Sequence, residues 1–352
     1  MTVDQAKLEE SLFATVGDLG AATSMAAALV GHKTGLYQAM AGSGPMTSEQ
    51  LAQATGTRER YVREWLNNQA AGGYVDHDPL AGSYTLPDER AMILADPDSP
   101  VYLAGGFDML AAIWSSVDRI EEAFGTGEGV GWHEHHPRLF SGTEAFFRPG
   151  YRAHLVSEWI PALDGVEQKL VDGARVADVG CGHGASTILM ARAYPNSTFT
   201  GVDYHEPSIG AARTAAADAG IADRATFEVA DAAGLPGGPY DLVCFFDALH
   251  DLGDPVGAAR QARQALAAEG TVMLVEPAAG DQVQDNLNPV GRLYYGASIF
   301  LCTPNSLSQD VGLGLGAQAG EARLNEVMGE AGFSRFRRAA ETPVNMVLEA
   351  RP

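Results

Sequence analysis

Basic residues are scarce in this chain: 23 Lys and Arg stand against 45 Asp and Glu, a formal net charge of −22 over 352 residues. Nucleic acid and anionic lipid are therefore not expected as main partners, because both are held by clustered cations. A cationic ligand stays open. Cysteine is nearly absent, with only Cys181, Cys244 and Cys302. That excludes a disulfide framework and points to a reducing, cytoplasmic setting. No apolar run approaches the ~18 residues of a spanning helix, so no membrane is expected. The opening residues MTVDQAKLEESLF carry early acids, not the charged-then-apolar pattern of a secretion signal. Internal repeats and low-complexity tracts are missing too. What remains, 46% hydrophobic and 19% charged, is the composition of a folded globular protein. The length exceeds the ~250–300 residues at which one core stops growing. Two domains are expected, 1–165 and 166–352.

The N-terminal part reads as helical. AATSMAAALVGHKTGLYQAM has small and apolar residues at helical spacing. MTSEQLAQATGT carries a capping box, with Thr47 as N-cap and Gln50 three residues on. Gly56 ends that helix and Thr57 caps the next, RERYVREWLNNQ. GGYVDHDPLAGSYTL then gives two short β-type runs around a turn. Helix, turn, helix, hairpin is the order of a winged helix. Over Thr57 to Gln69, Arg58, Arg60 and Arg63 are set against Glu59 and Glu64. Such a face is too weakly basic for the phosphate contacts that dominate DNA affinity, which favours a dimerisation or packing module.

From about residue 171 the pattern changes. β-Type runs (RVADVG, TFTGVD, TFEVAD, YDLVCFF, TVMLVE) alternate with Ala-rich helical runs. Strands separated by helices predict βαβ units and a mostly parallel, doubly wound α/β sheet. SRFRRAAE and NMVLEAR, joined at Thr342-Pro343, predict an antiparallel hairpin at one edge. The strongest local signal is Asp178-Val-Gly180-Cys-Gly182-His-Gly184 between a strand and a helix. Glycines there permit a sharp turn and close approach of a ligand to backbone N–H groups. Asp203 ends the second strand, where a carboxylate suits a ribose diol, and Asp231 is placed at the end of the third. Each acid alone is explained as a helix cap. Three at successive strand ends, beside the glycines, point to one ligand site.

On these residues the sequence resembles the class I S-adenosylmethionine-dependent methyltransferases, with a Rossmann-like sheet over about 171–352. With its N-terminal module it is similar to the small-molecule O-methyltransferases that carry a winged-helix dimerisation domain. The resemblance implies S-adenosylmethionine as cofactor and a homodimer. Asp178, Gly180, Gly182 and Gly184 would surround its methionine part, Asp203 its ribose hydroxyls, and Asp231 and Ala232 its adenine. The FFDALHD segment, with Phe246, would line the cofactor's other side. Phe245, Phe246 or Tyr151 would offer a ring face to the sulfonium cation.

The resemblance makes His250, of the His250-Asp251 pair, the general base, and an imidazole of pKa ~6.5 suits that task. Asp251 adjoins it, and helical neighbours do not face each other, so Glu276, at the end of TVMLVE, is preferred as the carboxylate that orients it. Leu252 stands where the family often has Trp, Phe246 where it often has Lys, and Gln318 where a further carboxylate is expected. His133, His135 and His136 cluster in GWHEHHPRLF. Two His and a carboxylate suit iron or zinc, but such a centre would have to join His133 or His135 to His250 with Asp251 or Glu134. No metal is therefore assigned, and His133 and His136, with Tyr151, are read as substrate-pocket residues. The expectation is methyl transfer to a small-molecule oxygen or activated carbon. The rival reading is a ligand-responsive winged-helix transcription regulator with a methyltransferase-like sensor.

Overall fold

The structure, a computed structural model, describes residues 3–352; the first two residues of the expected N-terminal domain lie outside them. The chain divides into two compact units between Ala111 and Ala112. The second unit thus takes in 112–165 as well as 166–352.

In the first unit, helices Gln5–Lys33, Ser48–Thr55 and Glu59–Ala71 are followed by a hairpin of β1 (Asp76–Asp78) and β2 (Ser83–Thr85). This is the predicted order. The capping box at Thr47 is formed in both directions, and Gly56 ends its helix in the left-handed region. Thr57 does not cap the next helix. Arg58 holds that position without a side-chain bond, because the Thr57 hydroxyl is engaged by Thr55. Leu51, Leu66, Trp65, Tyr37 and Met40 form the core. A Cβ on Gly31 would fall 2.4 Å from the Trp65 ring, so glycine is what lets the long helix reach that core.

Two of the arginines singled out for DNA contact are paired within their own helix, Arg60 to Glu64 and Arg63 to Glu59. One membrane expectation needs correction. The 29-residue helix Gln5–Lys33 is long and apolar enough to cross a bilayer by length and composition. Its Ala, Gly and Ser residues, broken by Asp18, hide this in the sequence, because no single uninterrupted run is strongly apolar.

The second unit is built on a seven-stranded sheet ordered β5-β4-β3-β6-β7-β9-β8. The strands are β3 (Arg175–Val179), β4 (Thr198–Asp203), β5 (Ala225–Val229), β6 (Tyr240–Phe246), β7 (Leu266–Pro277), β8 (Arg335–Glu341) and β9 (Asn345–Arg351). β3 to β7 are parallel, and β9 inserts antiparallel between β7 and β8. On β6, Leu242, Cys244 and Phe246 enter one core while Val243 and Phe245 enter the other. A strand buried on both faces reads as a continuous apolar run, as YDLVCFF does. The winding reverses between β3 and β6. Such switch points leave a crevice at the carboxyl ends of the strands.

Candidate active site

The glycine loop opens where β3 ends. Gly180, Gly182 and Gly184 all have φ between 51° and 77°, which favours glycine. Their roles differ. A Cβ on Gly184 would meet the Phe227 ring at 2.7 Å and one on Gly180 would meet Ala248 at 2.8 Å. These two serve close packing. Gly182 has nothing within 4 Å of its missing Cβ and is the open face of the loop.

Of the acids behind the loop, Asp178 is buried and incompletely satisfied, Asp203 is half-buried and Asp231 is exposed. Asp178 accepts from the Ser186 and Thr187 hydroxyls, both at 2.6 Å, through one oxygen. Its other oxygen is buried without a partner. Burial outweighs the two donors and pushes its pKa to about 6. Asp203, at the tip of β4, accepts the Gly182 N–H at 3.0 Å on one oxygen and the His205 N–H at 2.9 Å on the other. Burial raises its pKa too, against those two amide bonds. Asp231 lies two residues beyond β5 instead of ending it. It is exposed and heads the short turn Ala232–Gly234.

Helix Arg138–His154 and the turn before it complete this end of the site. Phe140 stacks on His205 at 4.1 Å, Glu144 lies 3.6 Å from His183 of the loop, and His133 meets the edge of Tyr204 at 6.1 Å. The histidine cluster does not converge. His133 and His136 are exposed, and His136 accepts the Arg138 N–H. His135 is buried against Ser116, and burial lowers its pKa.

On the other side of the loop, β6 ends in the turn Leu249–Asp251, which carries His250. His250 is 4% exposed and Glu276, from β7, is 1% exposed. The imidazole Nδ1 bonds the Glu276 carboxylate, whose second oxygen accepts the Leu249 N–H at 3.1 Å. The pairing expected from the sequence is present. Asp251 departs from expectation: its Oδ1 stands 3.3 Å from His250 Nε2. Adjacent side chains converge here because the Trp132 indole N–H, 2.9 Å from Oδ2, draws the Asp251 carboxylate to the buried side. Burial opposes an imidazolium, yet Glu276 and Asp251 more than offset it and raise the His250 pKa well above its ordinary value.

Between the loop and His250 sits Asp247, which sequence reasoning did not single out. It accepts from the Tyr151 hydroxyl at 2.9 Å and the Asn345 amide at 2.8 Å. Burial, with Glu276 nearby, pushes its pKa to about 7. It is a non-glycine residue at φ +50°, a strain of the kind that collects at functional sites. The signal was available, since an acid directly after an apolar strand is what marked Asp203. Tyr151 is buried and packs on Phe246 at 5.4 Å.

In doubly wound sheets, ligands bind at the switch point, where this chain places a strand-tip acid beside an open glycine loop. The comparisons specify the class. Residues 13–96 match the model of the Rv2258c-like winged HTH domain, and residues 170–314 match a methyltransferase-domain model. The chain thus joins a winged helix–turn–helix domain to a methyltransferase domain. It is 36% identical over 104 residues to the 27-O-demethylrifamycin SV methyltransferase of Amycolatopsis mediterranei, covering 29% of this chain and 38% of that protein. Two solved structures share the fold over nearly all of both chains. Mitomycin 7-O-methyltransferase MmcR aligns at TM-score 0.73 and 20% identity, over 99% of this chain and 100% of that one. Human N-acetylserotonin methyltransferase, in complex with SAM, aligns at 0.67 and 16%, over 99% and 98%.

Proposed function

We propose that this chain transfers a methyl group from S-adenosylmethionine to a small molecule, at an oxygen or an activated carbon, with His250 as the general base. The observation that carries the reading is the strand-end cradle: Gly182 open to a ligand, beside buried Asp178 with an unpartnered oxygen and half-buried Asp203. These residues fit the donor. Asp203 keeps lone pairs for a ribose diol after accepting its two amides. The orphan oxygen of Asp178 suits the ammonium of the methionine part, reached through the loop of Gly180, Gly182 and Gly184. Asp231 and Ala232 flank adenine, and Phe246 and Tyr151 turn ring faces to the sulfonium. When bound, S-adenosylmethionine supplies an electrophilic methyl group.

The chain's own residues do the rest. The pocket holds the acceptor close and in line, which supplies much of the rate. His250 in its neutral form, which its raised pKa makes more available as pH rises, takes the acceptor's proton at Nε2, and Glu276 at Nδ1 stabilises the imidazolium so formed. Asp251 adds to that stabilisation. His133 borders the acceptor side. Incubation with S-adenosylmethionine and a panel of hydroxylated acceptors tests the reading: acceptor-dependent release of S-adenosylhomocysteine is expected, and none with any acceptor contradicts it.

Self-association belongs to the same reading. Leu8, Leu12, Val16 and Leu19 recur along one side of helix Gln5–Lys33 and stand at least half exposed, with Phe13 beside them at 73%. A second copy of the helix is the partner this stripe fits.

A further inference from the structure

We propose that His250, Asp251 and Cys302 form a binding site for a thiophilic divalent cation such as Zn2+. One ligand atom from each lies within 4.8 Å of the others, and the three residues are 4%, 8% and 6% exposed. They are His, carboxylate and thiol, the donor types that bind zinc. Ligand atoms around a tetrahedral zinc stand about 3.3–3.8 Å apart. The cluster therefore closes on an ion by a shift of the order of 1 Å.

Three independent features prepare it. Asp251 Oδ1 is buried and accepts no well-directed hydrogen bond, while Trp132 holds Oδ2. The ligating oxygen is thus the one already turned to His250 Nε2. His250 already places Nδ1 on Glu276, leaving Nε2 toward the cluster. A carboxylate on the far nitrogen is the outer-shell partner that fixes a metal-ligating histidine. The backbone around Asp251 is anchored as well, since Asn305 and Gln309 both donate to its carbonyl.

Charge closes the argument. In the cluster, the carboxylates of Asp251 and Glu276 stand on the two nitrogens of one imidazole, with the Cys302 thiol beside them. On binding, the thiol proton, and the Nε2 proton of any protonated His250, leave to solvent. Thiolate and carboxylate then cancel the dication, and His250 stays neutral with its Nδ1–H on Glu276. Three protein ligands leave a fourth position open. Because the ion occupies the nitrogen assigned to the acceptor's proton, it blocks transfer; this consequence, unlike the binding itself, rests on the function proposed above.

The test is a titration of the metal-stripped, full-length protein with Co2+, followed by displacement with Zn2+. One equivalent should bind with a thiolate-to-cobalt charge-transfer band. Cys302→Ser should lose that band, and Glu276→Gln should weaken binding by about 10–100-fold. Absence of the band in the unmutated protein overturns the site, as does a band that persists in Cys302→Ser. Zn2+ should also inhibit methyl transfer. Cobalt binding with undiminished turnover in Zn2+ keeps the metal site and overturns the base assignment of His250 instead.

Discussion

Asp203 makes two amide contacts within the protein, one on each carboxylate oxygen, which leaves a lone pair on each. Asp203→Ala should weaken donor binding by about 1–3 kcal/mol, since ribose hydroxyls would go unpaired. Calorimetry with S-adenosylhomocysteine reads this, and unchanged affinity would remove the ribose assignment. His250→Ala should lower turnover by about 10²–10⁴-fold while leaving donor affinity nearly intact. Equal losses in both would make His250 a structural residue. Asp247 gives a prediction in pH. It titrates near 7 in the fold against 3.8 as the unperturbed value. As pH rises, the unfolded chain releases this proton first, so the folded state loses stability between about pH 4 and 7. Asp247→Asn abolishes that loss. The stability of the variant relative to the parent should climb across this window, by on the order of 1–4 kcal/mol, in urea unfolding. A flat difference would contradict the buried, ionisable assignment.

At the scale of elements, the two halves of the glycine loop separate packing from binding. Gly184→Ala forces a methyl group into the Phe227 ring and should cost about 1–3 kcal/mol of stability. Gly182→Ala has room and should act mainly on donor affinity. Thermal unfolding and donor binding, measured on both variants, distinguish them. The same contrast explains what the sequence made legible. β4, β6 and β9 begin and end where the apolar runs do, because each is bounded by a polar or turn residue. The His250–Glu276 contact was readable because both residues sit at the carboxyl ends of neighbouring strands. Asp251 was not. Its orientation is decided by Trp132, 119 residues away, and no local periodicity records that contact. Cys302 was counted only for redox chemistry for the same reason, since a helix far along the chain brings it to His250. The histidine cluster misled in the opposite sense: sequence neighbours at 133, 135 and 136 turned to three different surroundings.

At the scale of the molecule, the fold puts the glycine loop, Asp203, His250 and Glu276 near the carboxyl ends of adjacent strands, and the proposed function uses them from one crevice. The chain spans about 38% of the length of its rifamycin-modifying relative, and the two solved structures compared above share 20% and 16% identity with it. Those comparisons carry the architecture, and the acceptor must be found by experiment. The apolar stripe on helix Gln5–Lys33 gives a prediction at this scale. Leu12→Glu with Leu19→Glu should convert a dimer to monomers in sedimentation velocity, and an unaltered mass would move the interface elsewhere. The central claim is that the acids and the open glycine loop grip S-adenosylmethionine. Isothermal titration of the purified protein with that molecule tests it most directly. One saturable site per chain, lost in Asp203→Ala, is predicted; no heat of binding with either S-adenosylmethionine or S-adenosylhomocysteine would contradict it.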